Sequence, residues 1–282
     1  MSERPAQSQE YPGRTGEMTP EPQDEMRGHR GSGLLSGARA LVTGGDSGIG
    51  RAVSVAFAKE GADVAITYLE EDSDARHTAG LVEAEGRTCH TFGGDMGDES
   101  HCRKVVRDAG TALGGLDVLV LHHGTQTPAD DVQKIDSAQL RRTVDVNLLS
   151  LFWCVQEALE FMAEGSSIVI TGSINGLRGN PSLIDYAATK AGAMNLAQSL
   201  AGSLMDRGIR VNCVAPGPVW TPLIPATFDA EKVADFGKQA PMGRAAQPDE
   251  IAPSYVFFAA NRSSSYYTGQ TLVPAGGEIH PG

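Results

Sequence analysis

Short apolar runs alternate with amphipathic segments along most of the chain. The runs of strand length are "ALVTG", "DVAITY", "TCHTFGG", "DVLVLHH", "SSIVITG", "RVNCVAP" and "TLVPAGG". Segments between them, such as "GRAVSVAFAKEG" and "SHCRKVVRDAGTALG", have the apolar spacing of helices. Strands that are apolar throughout and separated by helix-length segments indicate a parallel sheet with helices on both faces. The pattern therefore predicts a doubly wound α/β domain with one sheet of about seven strands, whose ligand site lies at the carboxyl ends of the strands.

The first 36 residues differ in composition from the rest of the chain. They are rich in Pro, Gly, Ser, Glu and Gln and contain almost no aliphatic residues. Such a segment cannot bury enough apolar surface by itself to offset the entropy lost on ordering. We therefore expect a flexible N-terminal arm over residues 1–36, draped over the domain or a neighbouring subunit, and one folded domain over residues 37–282.

Charge and cysteine content narrow the class of protein. The chain has 35 acidic and 23 basic residues, a formal net charge of -12 and no basic run, which argues against nucleic-acid and anionic-membrane partners. The four cysteines are widely spaced and form neither CxxC nor CxH patterns, so neither a disulfide framework nor a metal site is supported. The beginning of the chain has no apolar signal segment. We expect a cytoplasmic protein without a metal.

The stretch "TGGDSGIGRA" follows the first predicted strand directly and continues into a helix. Gly44, Gly48 and Gly50 permit a tight turn and a close backbone approach, and the N-terminus of the following helix suits a diphosphate. A strand before, a helix after and a second strand about twenty residues later are the context of a Rossmann-type dinucleotide site. The missing Gly-Lys-Ser/Thr excludes a P-loop. The loop residues expected to line the dinucleotide also include Asp46, Ser47 and Ile49.

The spacing Thr-Gly-x3-Gly-x-Gly, together with further motifs, resembles the short-chain dehydrogenase/reductase family in its shorter-chain branch. The resemblance covers about residues 37–277, and the arm resembles that of a bacterial subgroup. The matching positions are Asp95 and Met96 after the third strand, Asn147 in "VDVNLLS", Ser173 in "ITGSING", Tyr186 and Lys190 in "DYAATK", and Pro216, Gly217, Val219 and Thr221 in "PGPVWT".

The resemblance implies contacts and an assembly for these positions. It implies that Asp95 and Met96 contact the adenine, that the segment 216–221 contacts the nicotinamide, and that the protein is a homotetramer. Tetramers would pair the helices "SAQLRRTVDVNLLSLFWCVQEALEFM" and "AATKAGAMNLAQSLAGSLM" across two-fold axes. Packing of these helices within one subunit is the alternative.

Tyr186 and Lys190 are four residues apart and therefore share one face of a helix. An ammonium about 4 Å from a phenolate, at an effective dielectric constant near 20, contributes roughly 4 kcal/mol or about three pKa units. The pair predicts a Tyr186 pKa lowered from about 10 toward about 7, which suits a general acid/base. Ser173 would hydrogen-bond the same substrate oxygen. By resemblance, Lys190 also holds the nicotinamide ribose and Asn147 anchors a water between the lysine and solvent.

The fourth strand ends in "LVLHHGTQ", where the family has Asn-Asn-Ala-Gly. Gly124 is retained, but Leu121, His122 and His123 replace the other three residues. Adjacent strand side chains point to opposite faces, so the two histidines are unsuited to hold one metal ion. We predict that His122 packs beneath the sheet, whereas the backbone of His123 and Gly124 lines the cofactor.

The end of the second strand is where such sites distinguish NAD from NADP. Tyr68 and Leu69 occupy these positions and provide neither an acid nor a base. Glu70 and Glu71 would repel a 2′-phosphate, whereas Arg51, beyond the last glycine of the loop, is the counterargument. We expect NAD or NADP as the cofactor and favour NAD.

The segment 218–247 has the Pro-rich, mixed composition of a loop that covers a substrate. Its Trp220, Leu223 and Phe236 either line an apolar pocket or pack the lid itself, and Arg178 is a candidate for binding a substrate anion. The sequence thus predicts an NAD(P)-dependent oxidoreductase that interconverts a small-molecule alcohol with an aldehyde or ketone. Alternatives are a noncatalytic dinucleotide-sensing module and, among enzymes, a dehydratase or epimerase.

Overall fold

Seven parallel strands form one sheet in the order β3-β2-β1-β4-β5-β6-β7. The computed structural model describes residues 4–278. The strands are β1 (Arg39–Thr43), β2 (Asp63–Tyr68), β3 (Cys89–Gly93), β4 (Leu116–Leu121), β5 (Met162–Thr171), β6 (Arg210–Val214) and β7 (Thr271–Leu272). The strand order reverses between β1 and β4, which is where sheets of this kind bind ligands. The predicted doubly wound, Rossmann-type α/β architecture is confirmed.

Helices cover both faces of the sheet. They are α1 (Gly48–Lys59), α2 (Asp72–Ala84), α3 (Glu99–Leu113), α4 (Ser137–Val144), α5 (Ser150–Ala158), α6 (Ile174–Arg178), α7 (Ile184–Ser203), α8 (Leu223–Thr227), α9 (Ala230–Asp235), α10 (Pro248–Ala259) and α11 (Asn261–Ser264). Val42 of β1 packs in a core with α1 and α10, whereas Leu41 packs in the opposite core with α3, α5 and α7. Successive residues of a strand face opposite cores, so the residues on both faces of the strand must be apolar. This explains the continuous apolar runs in the sequence.

Two elements differ from the sequence pattern. The long helix expected over "SAQLRRTVDVNLLSLFWCVQEALEFM" is interrupted by a π-helical turn at Asp145–Leu149, and its last residue, Met162, already belongs to β5. The strand expected over "TLVPAGG" is only two residues long. It lies at the edge of the sheet, and the proline at position 274 has no N–H to continue the ladder.

The described part of the arm, residues 4–36, packs against the domain and thus differs from the flexible segment expected from its composition. It lacks a core of its own, but it places Met18 and Met26 among buried residues of the domain, where they are 3% and 4% exposed. A 3-10 turn forms at Thr15–Glu17. Between residues 4 and 278, no helix has the length and apolar character needed to cross a membrane.

Candidate active site

One cavity of about 430 Å³ opens at the carboxyl ends of the strands. Most of the residues predicted from the sequence line it: Gly44, Asp46, Ser47, Gly48, Ile49, Tyr68, Leu69, Asp95, Met96, His123, Gly124, Ser173, Tyr186, Lys190, Pro216, Gly217, Val219 and Thr221. Gly50 and Asn147 are not among the lining residues. The segments therefore converge because each follows a strand of the same sheet edge.

The glycine loop is the stretch "TGGDSGIG" that follows β1 and enters α1, and its glycine positions leave no room for side chains. Gly44 and Gly48 have φ angles of +65° and +52°, which L side chains rarely adopt. A Cβ at Gly48 would lie 2.9 Å from Thr221 Cγ2, and one at Gly50 would lie 1.8 Å from the carbonyl oxygen of Gly44. The loop is thus a bare backbone cradle beside a helix N-terminus, which fits the diphosphate of a dinucleotide. Gly50 allows the close packing of helix against loop.

Arg51 lies beneath this loop and is 1% exposed. Its Nε donates to the carbonyl oxygen of Asp46 at 3.0 Å, its Nη2 to Asp74 Oδ1 at 2.8 Å, and its Nη1 to Asp24 Oδ2 at 3.2 Å. These internal partners occupy the guanidinium, so Arg51 braces the loop and does not face a cofactor phosphate. Sequence spacing alone could not reveal Asp24 as its partner, because the two residues are 27 positions apart.

Acidic side chains are concentrated around the same loop. Burial, followed by the nearby Glu71 carboxylate, raises the pKa of Asp46 to about 7. Burial also raises the pKa of Asp24 to about 6, although Arg51 acts in the opposite direction. The loop therefore carries less negative charge near neutral pH than its sequence suggests.

Ser173, Tyr186 and Lys190 meet on one side of the cavity. Lys190 Nζ lies 5.7 Å from the centroid of the Tyr186 ring and donates to the carbonyl oxygen of Thr171 at 2.9 Å. Ser173 caps α6 by accepting a hydrogen bond from Asn175 N at 3.1 Å. The helical i, i+4 spacing thus brings the phenol and the ammonium to one wall, as the sequence predicts.

The predicted lowering of the Tyr186 pKa is wrong for this arrangement. Burial raises the pKa of Tyr186, and the hydrogen bond with Ser173 opposes that rise only partly. Burial also lowers the pKa of Lys190 to about 8, with the Cys213 side chain acting in the opposite direction. The physical reason is that desolvation penalises both charged forms, while the ammonium is directed toward the Thr171 carbonyl. Tyr186 is therefore a protonated phenol at neutral pH.

Asn147 lies in the π-helical turn and is 1% exposed. Its Oδ1 accepts from Thr125 N at 2.8 Å, and its Nδ2 donates to the Thr125 carbonyl at 2.8 Å and to Thr189 Oγ1 at 3.2 Å. A Cβ built on Gly124 would lie 3.3 Å from Asn147 Oδ1 and 3.5 Å from Lys190 Nζ. The amide therefore pins the loop after β4 beside the lysine. π-helical turns are frequent at functional sites.

Of the two histidines after β4, only His122 lies elsewhere than the sequence predicts, since His123 is among the residues that line the cavity. His122 lines the cavity, with Nδ1 3.2 Å from Thr171 Oγ1, so the prediction that it packs beneath the sheet is wrong. The ring of His123 is the inner one, bridging Thr43 Oγ1 and Ser150 Oγ at 2.7 Å each. Burial, followed by repulsion from Lys190, lowers both histidine pKa values to about 3. Both rings are therefore neutral, and His123 ties β1 to α5.

The ion-pair partners of Asp95 and Arg178, and two further lining residues, were not found from the sequence. Arg142 Nη1 holds the Asp95 carboxylate at 2.7 Å, and Arg178 forms an ion pair with Glu278. These partners lie 47 and 100 positions apart, so no local spacing connects them. Two residues of the arm, Tyr11 and Pro12, also line the cavity. Within residues 4–278, no cluster of three or more His, Cys, Asp or Glu side chains could hold a metal ion.

The segment 218–247 forms α8 and α9 over one end of the cavity. Trp220 is fully buried and packs within the lid, whereas Leu223 and Phe236 line the cavity. Apolar and polar side chains share this end: Ile174, Leu183, Ile224 and Phe228 are accompanied by Gln126, Asn175, Asn180 and Gln239. The arrangement can hold a molecule that has both an apolar part and hydrogen-bonding groups.

Comparison with known proteins places this architecture in a family. Residues 44–278 match the family described as enoyl-(acyl carrier protein) reductase. General stress protein 39 of Bacillus subtilis (strain 168) is 50% identical over 278 residues, covering 98% of this chain and 97% of that protein. The NADPH-dependent aldehyde reductase 1, chloroplastic, of Arabidopsis thaliana is 44% identical over 274 residues, covering 95% of each.

The solved structures to which this chain is similar also include short-chain dehydrogenases. A short chain dehydrogenase from Burkholderia cenocepacia J2315 in complex with NADP has a TM-score of 0.81 and 32% identity, covering 86% of this chain and 98% of that one. The preference for NAD drawn from the sequence has no support in these relatives, two of which are linked to NADP or NADPH. The coarser prediction of a nicotinamide-dependent oxidoreductase is confirmed. The chain is a member of the short-chain dehydrogenase/reductase family.

Proposed function

We propose that the protein reduces an aldehyde or ketone to an alcohol, and catalyses the reverse reaction, with Tyr186 as the general acid/base. The observation that carries the proposal is the convergence of Ser173, Tyr186 and Lys190 with the glycine loop in one cavity. A noncatalytic dinucleotide sensor, the rival function, would need the loop but no buried proton donor.

Each side chain has a distinct part in this reaction. A nicotinamide bound in the cavity would supply the hydride for the carbonyl carbon or accept it from the alcohol. Tyr186 donates its phenolic proton to the carbonyl oxygen, and its raised pKa keeps that proton available at neutral pH. Ser173 holds the same oxygen, and the Lys190 ammonium stabilises the phenolate left after the proton transfer. Asn147 positions the loop next to the lysine.

For the dinucleotide we propose NADP(H), in place of the NAD favoured from the sequence. The support is the cofactor attached to two of the relatives. Glu71, which lines the cavity, argues for NAD, whereas Asp46 opposes a phosphate less than expected because its pKa is about 7. Titration of the protein with NADPH and NADH in parallel decides between them, and tighter binding of NADH would reverse this choice.

Replacement of Tyr186 by Phe tests the chemistry. We expect Tyr186→Phe to bind the dinucleotide as the parent does and to lose at least about a hundredfold in kcat, because general acid catalysis contributes on the order of 10²–10⁴-fold. Turnover is followed by nicotinamide absorbance with a panel of aldehydes, ketones and alcohols. Tyr266→Phe is the matched control, since Tyr266 is 99% exposed.

The other outcomes separate the rivals. A parent protein that binds the dinucleotide but is inert across a broad panel would favour the sensor. A product formed with no net change in nicotinamide absorbance would indicate a dehydratase or epimerase. A Tyr186→Phe variant with the parent's kcat would exclude Tyr186 as the proton donor.

We also propose the organisation and assembly expected from the sequence: an arm over 1–36, a dinucleotide-binding and catalytic domain over 37–282 with the substrate loop at 218–247, and a cytoplasmic homotetramer. Support for an assembly comes from exposed apolar side chains at the end of the π-helical turn and on α5, where Leu149 and Phe152 are 37% and 42% exposed. Support for a reducing compartment comes from Cys89, Cys102, Cys154 and Cys213, which are all free thiols.

A further inference from the structure

The N-terminal part of the arm is fastened to the substrate loop. Arg4 Nη1 donates to the carbonyl oxygen of Phe236 at 2.7 Å, and its guanidinium carbon lies 4.5 Å from the centroid of the Trp220 ring. Trp220 Nε1 donates in turn to the carbonyl oxygen of Pro20 at 2.8 Å. Met18 completes an apolar cluster with Trp220, Ile224, Val233 and Ala245. The lid is therefore packed partly on residues of the arm.

Between these contacts the arm runs along the cavity and forms part of its wall. Gly13 is pressed against the start of α8, where a Cβ would lie 2.5 Å from the Pro222 carbonyl oxygen. Two residues later, Thr15 N donates to Asp74 Oδ2 on α2 at 3.1 Å. The backbone thus passes from the lid to α2 within three residues, and the preceding residues 11–12 line the cavity that contains the glycine loop.

Further along the arm, Asp24 is hydrogen-bonded to the glycine loop and to Arg51 beneath it. Asp24 is 2% exposed, and its Oδ2 accepts from Gly48 N at 3.1 Å and from Arg51 Nη1 at 3.2 Å. Arg51 holds the loop from below through the Asp46 carbonyl oxygen. One continuous segment, residues 4–24, therefore contacts the lid, the cavity and the glycine loop, and we name it the strap.

We propose that the strap is a gate over the cofactor: it ties the lid to the glycine loop across the cavity and has to be displaced each time the dinucleotide enters or leaves. The inference rests on the proposed function, because it takes the cavity as the dinucleotide site. A segment that only stabilised the fold would have no reason to line the cavity, whereas this one lines it and contacts both the start of α8 and α2. Passage of a dinucleotide between α8 and α2 requires these contacts to open.

A gate affects the rate constants of both association and dissociation of the dinucleotide. Removal of a gate accelerates both entry and exit, whereas loss of a mere support for the glycine loop weakens binding without faster entry. We expect deletion of residues 1–20, which leaves Asp24 in place, to raise both the association and the dissociation rate constants of NADPH about tenfold or more. Stopped-flow fluorescence of NADPH on mixing and on displacement measures the two constants.

A full-length variant tests the same proposal in case the truncated chain misfolds. Arg4→Ala combined with Met18→Ala detaches the strap from the lid and keeps its full length. We expect the same direction of change in both rate constants, together with faster tryptic cleavage after the exposed Lys232 and Lys238 of the lid. Glu10→Gln, at an exposed position of the strap, is the matched control and should leave rates and cleavage unchanged.

The outcomes separate this inference from the proposed function. If the parent protein fails to bind NADPH or NADH, the assignment of the cavity as a dinucleotide site is overturned. If the parent binds but neither the truncation nor the double variant accelerates association, the strap is no gate. Faster dissociation at an unchanged association rate would likewise overturn the gate and leave the strap as a support of the loop.

Discussion

Asp46 offers a direct test of how the glycine loop is stabilised. Its side chain is buried in the loop, and burial raises its pKa from an ordinary 3.8 to about 7, with the Glu71 carboxylate adding to the rise and Ser47 opposing it. Above that pH the folded protein must hold a charge that the unfolded chain solvates freely. We therefore predict that Asp46→Asn stabilises the protein at alkaline pH.

The magnitude follows from the pKa difference. A carboxyl with a raised folded-state pKa contributes stability that is fully present below the unfolded pKa and lost as the pH rises through the folded value. For Asp46 that window runs from about pH 4 to about pH 7. Three pKa units correspond to about 4 kcal/mol, so we expect Asp46→Asn to raise the free energy of unfolding by about 2–4 kcal/mol at about pH 8.5.

Chemical denaturation of the parent and Asp46→Asn, followed by circular dichroism between about pH 4 and pH 8.5, measures the difference. The gap should be widest at alkaline pH and should close toward pH 4. Asp206→Asn, at an exposed carboxyl, is the control and should show no such trend. Equal stabilities at alkaline pH, or a gap that does not change with pH, would refute the reasoning that desolvation governs this loop.

Two further predictions concern the helix packed on the loop and the proton chemistry. Gly50→Ala places a Cβ 1.8 Å from the Gly44 carbonyl oxygen, so we expect about 3 kcal/mol of destabilisation and loss of dinucleotide binding, measured by denaturation and titration. Gly80→Ala, in open space on α2, is the control and should stabilise by up to about 1 kcal/mol; equal stabilities of Gly50→Ala and the parent would contradict this. Because the Lys190 pKa is about 8, kcat/KM for carbonyl reduction should fall as the pH rises through about 8, and a profile that stays flat beyond this pH would contradict a role for the ammonium.

The sheet and the cofactor loop could be predicted because their determinants are local. The residues of β1 that face the two cores are apolar, and β1, the glycine loop and α1 follow one another within a single stretch of the chain. Tyr186 and Lys190 were found for the same reason, since helical spacing alone puts them on one face. Placement at the carboxyl end of the sheet then follows from topology.

Side-chain partners far apart in the chain could not be predicted. His123 finds Thr43 and Ser150, which are 80 and 27 positions away, and only the folded packing of β1 against α5 decides which histidine faces inward. The amide of Asn147, in the π-helical turn, likewise bonds to Thr125 and Thr189, which are 22 and 42 positions away. Strand alternation constrains the faces of the two histidines, but it does not say which face is the cavity.

Contacts between the N-terminal arm and the domain could not be predicted from the composition of the arm. Its few apolar residues predict flexibility when they are counted within the segment, yet Met18 and Met26 are buried because the domain supplies the rest of their surroundings. The composition of a segment indicates whether the segment can form a hydrophobic core by itself. It does not indicate whether its few apolar residues can be buried in the core of another part of the protein. The polar residues of the arm then find charged partners on the domain, as Asp24 does with Arg51.

Desolvation links the strap to the chemistry of the cavity. The same cause raises the pKa of Tyr186 and lowers those of Lys190, His122 and His123, so the wall favours uncharged side chains. A phenol in such surroundings keeps its proton until a carbonyl oxygen arrives to accept it, and the nearby ammonium then faces a phenolate at low dielectric, where its attraction is strongest. Whatever excludes water from the cavity therefore strengthens this pairing. Since the lid and the strap are packed on each other through Trp220, opening the strap should both release the dinucleotide and admit water that screens the attraction between the ammonium and the phenolate.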